Sequence, residues 1–237
     1  PATTLKAMQL VSSAVNKATH LEPLQVRQVS VTPSALVIGG GISGLQSAVD
    51  IADAGFAVTL VESSHHLGGH VAQLHRTFPT LQSVPEMLSP LVERVASHPK
   101  ITVMTGSEVV GVSGYVGNFQ IQVRRQGEEE LAQVPAGAII VATGYDVFDP
   151  HNRPELGYGQ YPEVVTTLEF ERMAASGQLA VNGRQPSRVV FIQCVGSRDR
   201  LQKKNYCSRV CCMVTARQAK MVREALPQAQ VTVFYMD

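Results

Sequence analysis

The stretch Ala35-Leu-Val-Ile-Gly-Gly-Gly-Ile-Ser-Gly44 decides the fold. Its four leading apolar residues predict a short buried strand, and Gly39, Gly41 and Gly44 match the pattern G-x-G-x-x-G. Residues 45–54 then show the apolar spacing of a helix, and a second strand, residues 58–61, ends at the acidic Glu62. This order of strand, glycine turn, helix, strand and acid predicts a βαβ unit that binds a dinucleotide.

The residue types of this motif suit a pyrophosphate for physical reasons. Gly39 permits the tight turn, Gly41 lets the backbone approach the phosphates, and Gly44 lets the helix pack close to the strand. The following helix turn, with Ile42 and Ser43, offers backbone N–H groups and partial positive charge to an anion. Glu62 can accept hydrogen bonds from an adenosine ribose, and we place Ser63 in the same candidate site.

The rest of the chain predicts an α/β fold with two dinucleotide-binding-like units. An amphipathic helix, residues 3–21, leads in from an upstream domain and is followed by a linker that reaches Pro33. A second helix and an antiparallel meander interrupt the first unit, and a strand that we expect to be buried completes it. A second βαβ pattern then follows, with its helix expected to begin at Ser208. These segments are residues 84–97 (helix), 101–104, 109–112, 119–123 and 131–134 (meander), 138–142 (buried strand), 167–175 (helix), and 189–192, 208–225 and 231–235 (second βαβ pattern).

We therefore predict three parts. Residues 1–33 are a lead-in, residues 34–150 a Rossmann-like dinucleotide-binding domain with the inserted meander, and residues 151–237 a second, partial Rossmann-like unit.

Composition excludes several classes of protein. The chain has 237 residues with 20 basic and 19 acidic side chains, a formal net charge of +1 and no basic run, so nucleic-acid binding is not expected. No apolar run is long enough for a membrane span, and no signal peptide pattern opens the chain. The chain begins without methionine, and we expect it to be part of a longer protein.

Four cysteines cluster near the second unit, with the spacing Cys-x12-Cys-x3-Cys-Cys: Cys194, Cys207, Cys211 and Cys212. Such clustering favours a reducing compartment and an inorganic ligand over a disulfide framework. Four thiolates could hold a [4Fe-4S] cluster or a structural zinc, and unliganded buried cysteines are the further alternative. Cys207 and Cys211 would share one helix face if that turn were helical.

Other polar residues have plainer interpretations. The loop histidines His65, His66 and His75 lack a completing ligand set and are expected to be exposed. The basic side chains around the cysteines, Arg198, Lys203, Lys204 and Arg209, would stabilise thiolates, although surface charge suffices to explain the two lysines.

Two further stretches carry a resemblance. Gly68-Gly69-His70 follows Glu62, and Ala142-Thr143-Gly144 closes the last strand of the first unit. This order resembles the two-dinucleotide-binding flavoproteins, such as thioredoxin reductase, and implies FAD at the first unit. In that superfamily the Ala-Thr-Gly strand end lies against the flavin nucleotide, and we add Val109 to the predicted FAD contacts.

Nearly the whole chain resembles the iron–sulfur flavoprotein of heterodisulfide reductase, which is the A-type subunit of that enzyme. The matching stretches are residues 35–44, 68–70, 77–80, 111–119, 141–145, 191–199, 206–213 and 234–237. The resemblance implies that the four cysteines hold a [4Fe-4S] cluster and that the protein transfers electrons within a cytoplasmic complex. It further implies heterodisulfide reductase-type partners, an electron-input partner, ferredoxin, a homodimer and flavin-based electron bifurcation.

Two positions depart from that family. Ser83 and Glu86 stand where the family has Cys-x-x-Cys, so a further cluster or thiol site is not expected there. Arg217 stands where a family lysine lies near the flavin N5 atom, and arginine keeps the charge but does not deprotonate.

Two other functions compete with electron transfer in such a complex. A stand-alone NAD(P)H:acceptor oxidoreductase would need a nicotinamide fingerprint in residues 189–212 and a redox disulfide. A non-catalytic, cluster-bearing scaffold would need the cysteines but no FAD.

Overall fold

The computed structural model describes residues 2–22, 28–200 and 202–236, and the chain divides into two units, Pro1–Val31 and Thr32–Asp237. The first unit contains helix α1 (Ala2–Thr19), which has no buried residue. Its apolar side chains Leu5 and Met8 are more than 60% exposed. Part of the predicted linker, residues 23–27, lies outside the described residues.

A parallel sheet of four strands organises the second unit, in the order β3-β2-β1-β7. Its strands are β1 (Ser34–Ile38), β2 (Ala57–Val61), β3 (Ile101–Met104) and β7 (Ala138–Val141). Ile38 pairs with both Val61 and Val141, so the carboxyl ends of three strands lie level with one another. Open α/β sheets bind ligands at this edge.

Other elements pack against both faces of this sheet. Helices α2 (Ile42–Asp53) and α3 (Val84–Ser97) pack on one face, where Val37, Leu45 and Leu60 are fully buried. The antiparallel meander of β4 (Ser107–Tyr115), β5 (Asn118–Arg125) and β6 (Leu131–Ala136) packs on the other. The α/β fold class and the inserted meander are therefore confirmed.

The prediction that residues 138–142 form a buried strand is wrong. β7 is an edge strand of the sheet, and Val141 is 71% exposed. An apolar run indicates that the faces of a strand contact apolar groups. It does not indicate whether another strand pairs with its free edge.

The carboxyl-terminal part contains a smaller parallel pair. The elements are α4 (Thr167–Ala175), β8 (Arg188–Ile192), α5 (Cys211–Ala225) and β9 (Gln230–Phe234). Helix α5 and Phe170 of α4 cover one face of the pair β8-β9 around the buried Phe191 and Val222. Its other face exposes Ile192 and Phe234 by more than half of their surface.

Helix α5 begins at Cys211, three residues later than predicted. Arg209 has a left-handed backbone (φ 60°), which interrupts a helix. Cys207 therefore does not share a helix face with Cys211.

None of the described helices combines the length and the apolar character that a membrane-spanning helix needs.

Candidate functional site

The glycine turn, Glu62 and the two later stretches meet at the carboxyl edge of the parallel sheet. The backbone N–H of Gly39 donates to the Val61 carbonyl at 2.8 Å, and that of Ala142 donates to the Ile38 carbonyl at the same distance. Gly68 N–H donates to the Gly40 carbonyl at 2.7 Å. The structure thus brings together residues from the glycine turn, the end of β2, the Gly-Gly-His stretch and the end of β7.

The three motif glycines meet different surroundings. A Cβ atom on Gly39 would lie 2.3 Å from the Ala142 carbonyl oxygen, and one on Gly44 would lie 1.8 Å from the Gly39 oxygen. A Cβ on Gly41 would meet no described atom within 4 Å. Gly39 and Gly44 are therefore required by packing, whereas Gly41 faces an open space at the start of α2, as a pyrophosphate cradle requires.

Glu62 closes the turn from the second strand. Its Oε2 atom accepts the Gly40 N–H at 2.6 Å, and its Oε1 atom accepts the Ser64 N–H at 2.7 Å and the Ser63 hydroxyl at 3.3 Å. Burial opposes the charge, but the backbone hydrogen bonds from Ser64 and Gly40 outweigh it and hold the pKa of Glu62 below its usual value. The carboxylate is thus ionised and fixed against the glycine turn.

Gly68, Gly69 and His70 lie beside the end of β7. The His70 and Tyr145 rings stack with their centroids 4.7 Å apart, and His70 Nε2 lies 2.8 Å from the Tyr145 carbonyl oxygen. Ala142, Thr143 and Gly144 therefore lie close to the Gly-Gly-His stretch, with Thr143 and Gly144 exposed.

The other predicted contacts lie around the same edge or inside the meander. Ser43 is exposed in the first turn of α2, next to the half-buried Ile42. Val109 lies in β4, packed in the cluster that contains Leu36 and Ile121. The direct contact of these residues with a cofactor stays a prediction.

The cysteine loop, residues 194–209, has an unusual backbone in its described parts, residues 194–200 and 202–209. Cys194, Arg198, Lys203 and Arg209 all have positive φ angles between 51° and 61° although none is glycine, and Gly196 has φ 78°. The four non-glycine residues are strained in this conformation, and strain of this kind gathers at functional sites.

The thiols differ in surroundings. Cys194 is buried and Cys211 half-buried, whereas Cys207 and Cys212 are exposed, and all four are free thiols. Burial, together with the neighbouring Cys211, raises the pKa of the Cys194 thiol. Burial also opposes the charge on Cys211, but hydrogen bonds from the Cys194 backbone and the Ser208 side chain lower its pKa.

Cys194, Cys211 and Cys212 thus form a chain of neighbouring thiols at the N-terminus of α5. The exposed Cys207 accepts a hydrogen bond from the Arg209 N–H at 3.3 Å. The donor set fits a metal centre in ligand type. However, among residues 2–22, 28–200 and 202–236, no three histidine, cysteine or acidic side chains converge at metal-binding spacing.

The basic residues near the loop are partly engaged. Lys204 lies over the Phe148 ring, with its Nζ atom 5.2 Å from the centroid, and Arg198 donates to the Met236 carbonyl at 2.7 Å. Lys203 and Arg209 are exposed.

Arg217, the predicted neighbour of flavin N5, is 3% exposed and pairs with Glu171, which is fully buried. It also donates to the Arg76 carbonyl at 2.5 Å, and Gln218 donates to Glu171 at 2.6 Å. The other Glu171 oxygen accepts the His75 N–H at 3.0 Å. Its place near a flavin stays a prediction, while its pairing with Glu171 is a structural finding.

Sequence reasoning missed the partners of these residues. Tyr145, Glu171 and the pair Arg153–Asp199 lie far in sequence from the groups they contact. For Glu171 the sequence offered one signal, an acidic residue directly after the apolar Phe170 on a predicted helix.

Comparison with known proteins places this geometry in a family. Residues 33–192 match the family described as pyridine nucleotide-disulphide oxidoreductase. The chain is 36% identical over 315 residues to an A-type iron–sulfur subunit of the CoB–CoM heterodisulfide reductase of Methanopyrus kandleri, an alignment that covers 99% of this chain and 48% of the relative. It is 35% identical, with the same coverage, to the A-type subunit of the H2:CoB–CoM heterodisulfide,ferredoxin reductase of Methanothermobacter thermautotrophicus. Among solved structures, the chain is similar to L-proline dehydrogenase of P. horikoshii, with 16% identity and a TM-score of 0.49. That alignment covers 90% of this chain and 37% of the dehydrogenase chain.

The chain therefore spans about half the length of these curated relatives. Each alignment is longer than the chain's own 237 residues, so the relatives carry internal segments that this chain lacks. The family match covers more than half of the chain. The chain belongs to the pyridine nucleotide-disulphide oxidoreductase family, and over nearly its whole length it is similar to the A-type subunit of heterodisulfide reductase.

Proposed function

We propose that the chain is the FAD- and [4Fe-4S]-carrying part of an electron-transfer subunit in a heterodisulfide reductase-type complex. The observation that carries the proposal is the meeting of Gly41, Glu62, His70 and Gly144 at one sheet edge, with four free cysteines in the same unit. FAD supplies two-electron chemistry and an iron–sulfur cluster one-electron transfer when they are bound, and the protein contributes positioning and electrostatics.

In this proposal the first βαβ unit holds the dinucleotide. The open space at Gly41 and the N-terminus of α2 receive the pyrophosphate, and the ionised Glu62 accepts from the ribose hydroxyls while it also holds the glycine turn. His70, fixed by Tyr145, and Thr143 line the same edge. The predicted contacts are Gly39, Gly41, Ile42, Ser43, Gly44, Glu62, Ser63, Gly68, Gly69, His70, Val109, Ala142, Thr143 and Gly144.

The cysteine loop holds the cluster in the same proposal. Cys194 and Cys211 are already neighbours, Cys212 adjoins them at the start of α5, and Cys207 completes the set from the exposed side of the loop. The N-terminus of α5 and the charge of Arg198 favour the thiolate forms, against the burial that raises the pKa of Cys194 and the repulsion from Cys211 that raises the pKa of Cys212. Free, closely spaced thiols suit the cytoplasm, where we place the protein.

The partners follow from the names of the relatives. We propose other heterodisulfide reductase-type subunits, an electron-input partner and ferredoxin, together with a homodimer of this protein. Electron bifurcation is the most specific part of the proposal. It bears on Arg217, Ser83 and Glu86, the positions at which this chain departs from the family motif.

The test is anaerobic purification of the full-length protein with iron, sulfide, zinc and flavin quantified, followed by EPR of the reduced protein. About four irons and one FAD per copy of this segment, with a reduced-cluster signal from these cysteines, support the proposal. Zinc in place of iron contradicts it and leaves a flavoprotein with a structural metal. Iron without flavin selects the scaffold, and a nicotinamide-reducible disulfide selects the stand-alone reductase.

A further inference from the structure

The backbone that carries the predicted flavin contacts also reaches the cysteine loop. We call residues 142–153 the linking segment: it begins with Ala142-Thr143-Gly144 at the sheet edge and ends at Arg153. At its first end, Tyr145 stacks on His70 and its carbonyl oxygen lies 2.8 Å from His70 Nε2. This end is therefore fixed to the candidate dinucleotide site.

The middle of the linking segment packs on the cysteine loop. The Phe148 ring lies against Gly196, where an added Cβ atom would come within 2.1 Å of the ring carbon Cγ. Lys204 lies over the same ring. The aromatic side chain of the linking segment thus packs against the cysteine loop at Gly196.

The far end carries a partly buried ion pair. Arg153 is 24% exposed and pairs with Asp199, which is only 5% exposed. The Asp199 backbone exchanges two hydrogen bonds with Lys204, both 2.9 Å, and its Oδ1 atom accepts the Gln202 N–H at 3.2 Å. Gln202 also donates to the Asn152 carbonyl at 3.3 Å. Asp199 therefore organises the turn before Cys207, and Arg153 attaches that turn to the linking segment.

We propose that Arg153 and Asp199 are positioning residues, which set where the cysteine loop lies relative to the dinucleotide site. The inference rests on the proposed function for the role of that loop, but the attachment itself concerns this chain's own residues. A carboxylate as buried as Asp199 is strongly affected by the loss of its guanidinium partner, unlike an exposed pair. The loop also holds several strained residues, and so it depends on such attachments to keep its shape.

The experiment compares R153Q, R153K and R124Q in the full-length protein. Arg124 pairs with Glu108 on the meander, with both side chains more than half exposed, and so it is the matched control. Hydrogen exchange is measured for residues 194–209 and for the sheet, and EPR spectra and reduction potential are measured on the loaded protein. We expect R153Q to speed exchange in the loop by about tenfold or more, with the sheet unchanged. We also expect altered cluster g values and potential at unchanged flavin content, R153K nearer to wild type, and R124Q indistinguishable from it.

Equal exchange and EPR in R153Q and R124Q overturn the inference. A global rise in exchange or loss of flavin in R153Q shows a general structural role and overturns it as well. If the wild-type protein contains no iron, the proposed function fails separately, while hydrogen exchange still decides whether Arg153 holds the loop.

Discussion

Gly41 and Gly39 belong to one motif, but substitution should affect them differently. Gly41 has φ −74°, which alanine adopts without strain, and its added Cβ meets no described atom within 4 Å. We expect Gly41→Ala to keep the thermal stability of the flavin-free protein and to lose flavin, because the methyl group occupies the space for the pyrophosphate.

Gly39→Ala is the contrasting variant. Gly39 has φ 109°, and its Cβ would lie 2.3 Å from the Ala142 oxygen, so we expect a lower melting temperature even without flavin. Thermal unfolding and bound-flavin absorbance separate the two effects. Equal stability of the two variants would show that the sheet edge adapts more readily than the structure indicates.

Glu62 should make stability depend on pH. Its folded pKa lies below its usual value near 4.5, because the Ser64 and Gly40 hydrogen bonds outweigh burial. The stabilisation is therefore fully present above the pKa of the unfolded chain and is lost as pH falls through the lower folded pKa. We expect Glu62→Gln to be less stable than wild type at neutral pH and the difference to shrink below about pH 4.5. Urea unfolding across this range measures it, and a constant difference would mean that Glu62 acts by shape alone.

At the scale of elements, α4 begins with a complete capping box. The Thr166 hydroxyl accepts the Glu169 N–H, and the Glu169 carboxylate accepts the Thr166 N–H at 2.7 Å. We expect Thr166→Ala to lower the free energy of unfolding by about 1 kcal/mol. Ser83→Ala is the control, because Ser83 directly precedes α3 and makes no side-chain capping hydrogen bond. Similar losses in both variants, measured by denaturant unfolding, would contradict this reasoning.

The elements could largely be predicted from sequence because their patterns are local. The spacing of apolar residues within one segment is enough to predict a helix or a strand. It did so for the strand at residues 35–38, the helix at 84–97 and the strands of the meander. The start of α5 could not be found in this way, because the positive φ of Arg209 depends on the fold of the whole loop. Predicting the exposed edge of β7 requires knowledge of which strand lies next to it.

The same distinction between local and long-range patterns separates the site residues that could be predicted from those that could not. The glycine pattern and Glu62 lie in one contiguous βαβ unit, so spacing alone predicted their meeting. The pairs Arg153–Asp199 and Glu171–Arg217 are each separated by 46 residues and have no local signature.

At the scale of the molecule, the buried pair Glu171–Arg217 joins three segments: α4, α5 and the loop at His75 and Arg76. We expect Glu171→Ala to cost about 3–5 kcal/mol of stability, because Arg217 is left buried without its partner. Asp53→Asn, which weakens the exposed pair with Arg94, should cost less than about 1 kcal/mol. Denaturant unfolding measures both, and comparable losses in the two variants would show that water reaches Arg217.

The left-handed Cys194 has an evolutionary consequence. The first unit has Gly39 (φ 109°) just after its strand β1, whereas the second unit has Cys194 (φ 61°) just after β8. A thiol therefore occupies a backbone conformation that glycine adopts freely. In the metal-free protein we expect Cys194→Gly to be more stable than Cys194→Ala by roughly 1 kcal/mol, as measured by thermal or urea unfolding. In that case, selection for stability alone would favour glycine at this position. A lineage that keeps the cysteine would therefore be under selection for the thiol itself, at a cost in stability.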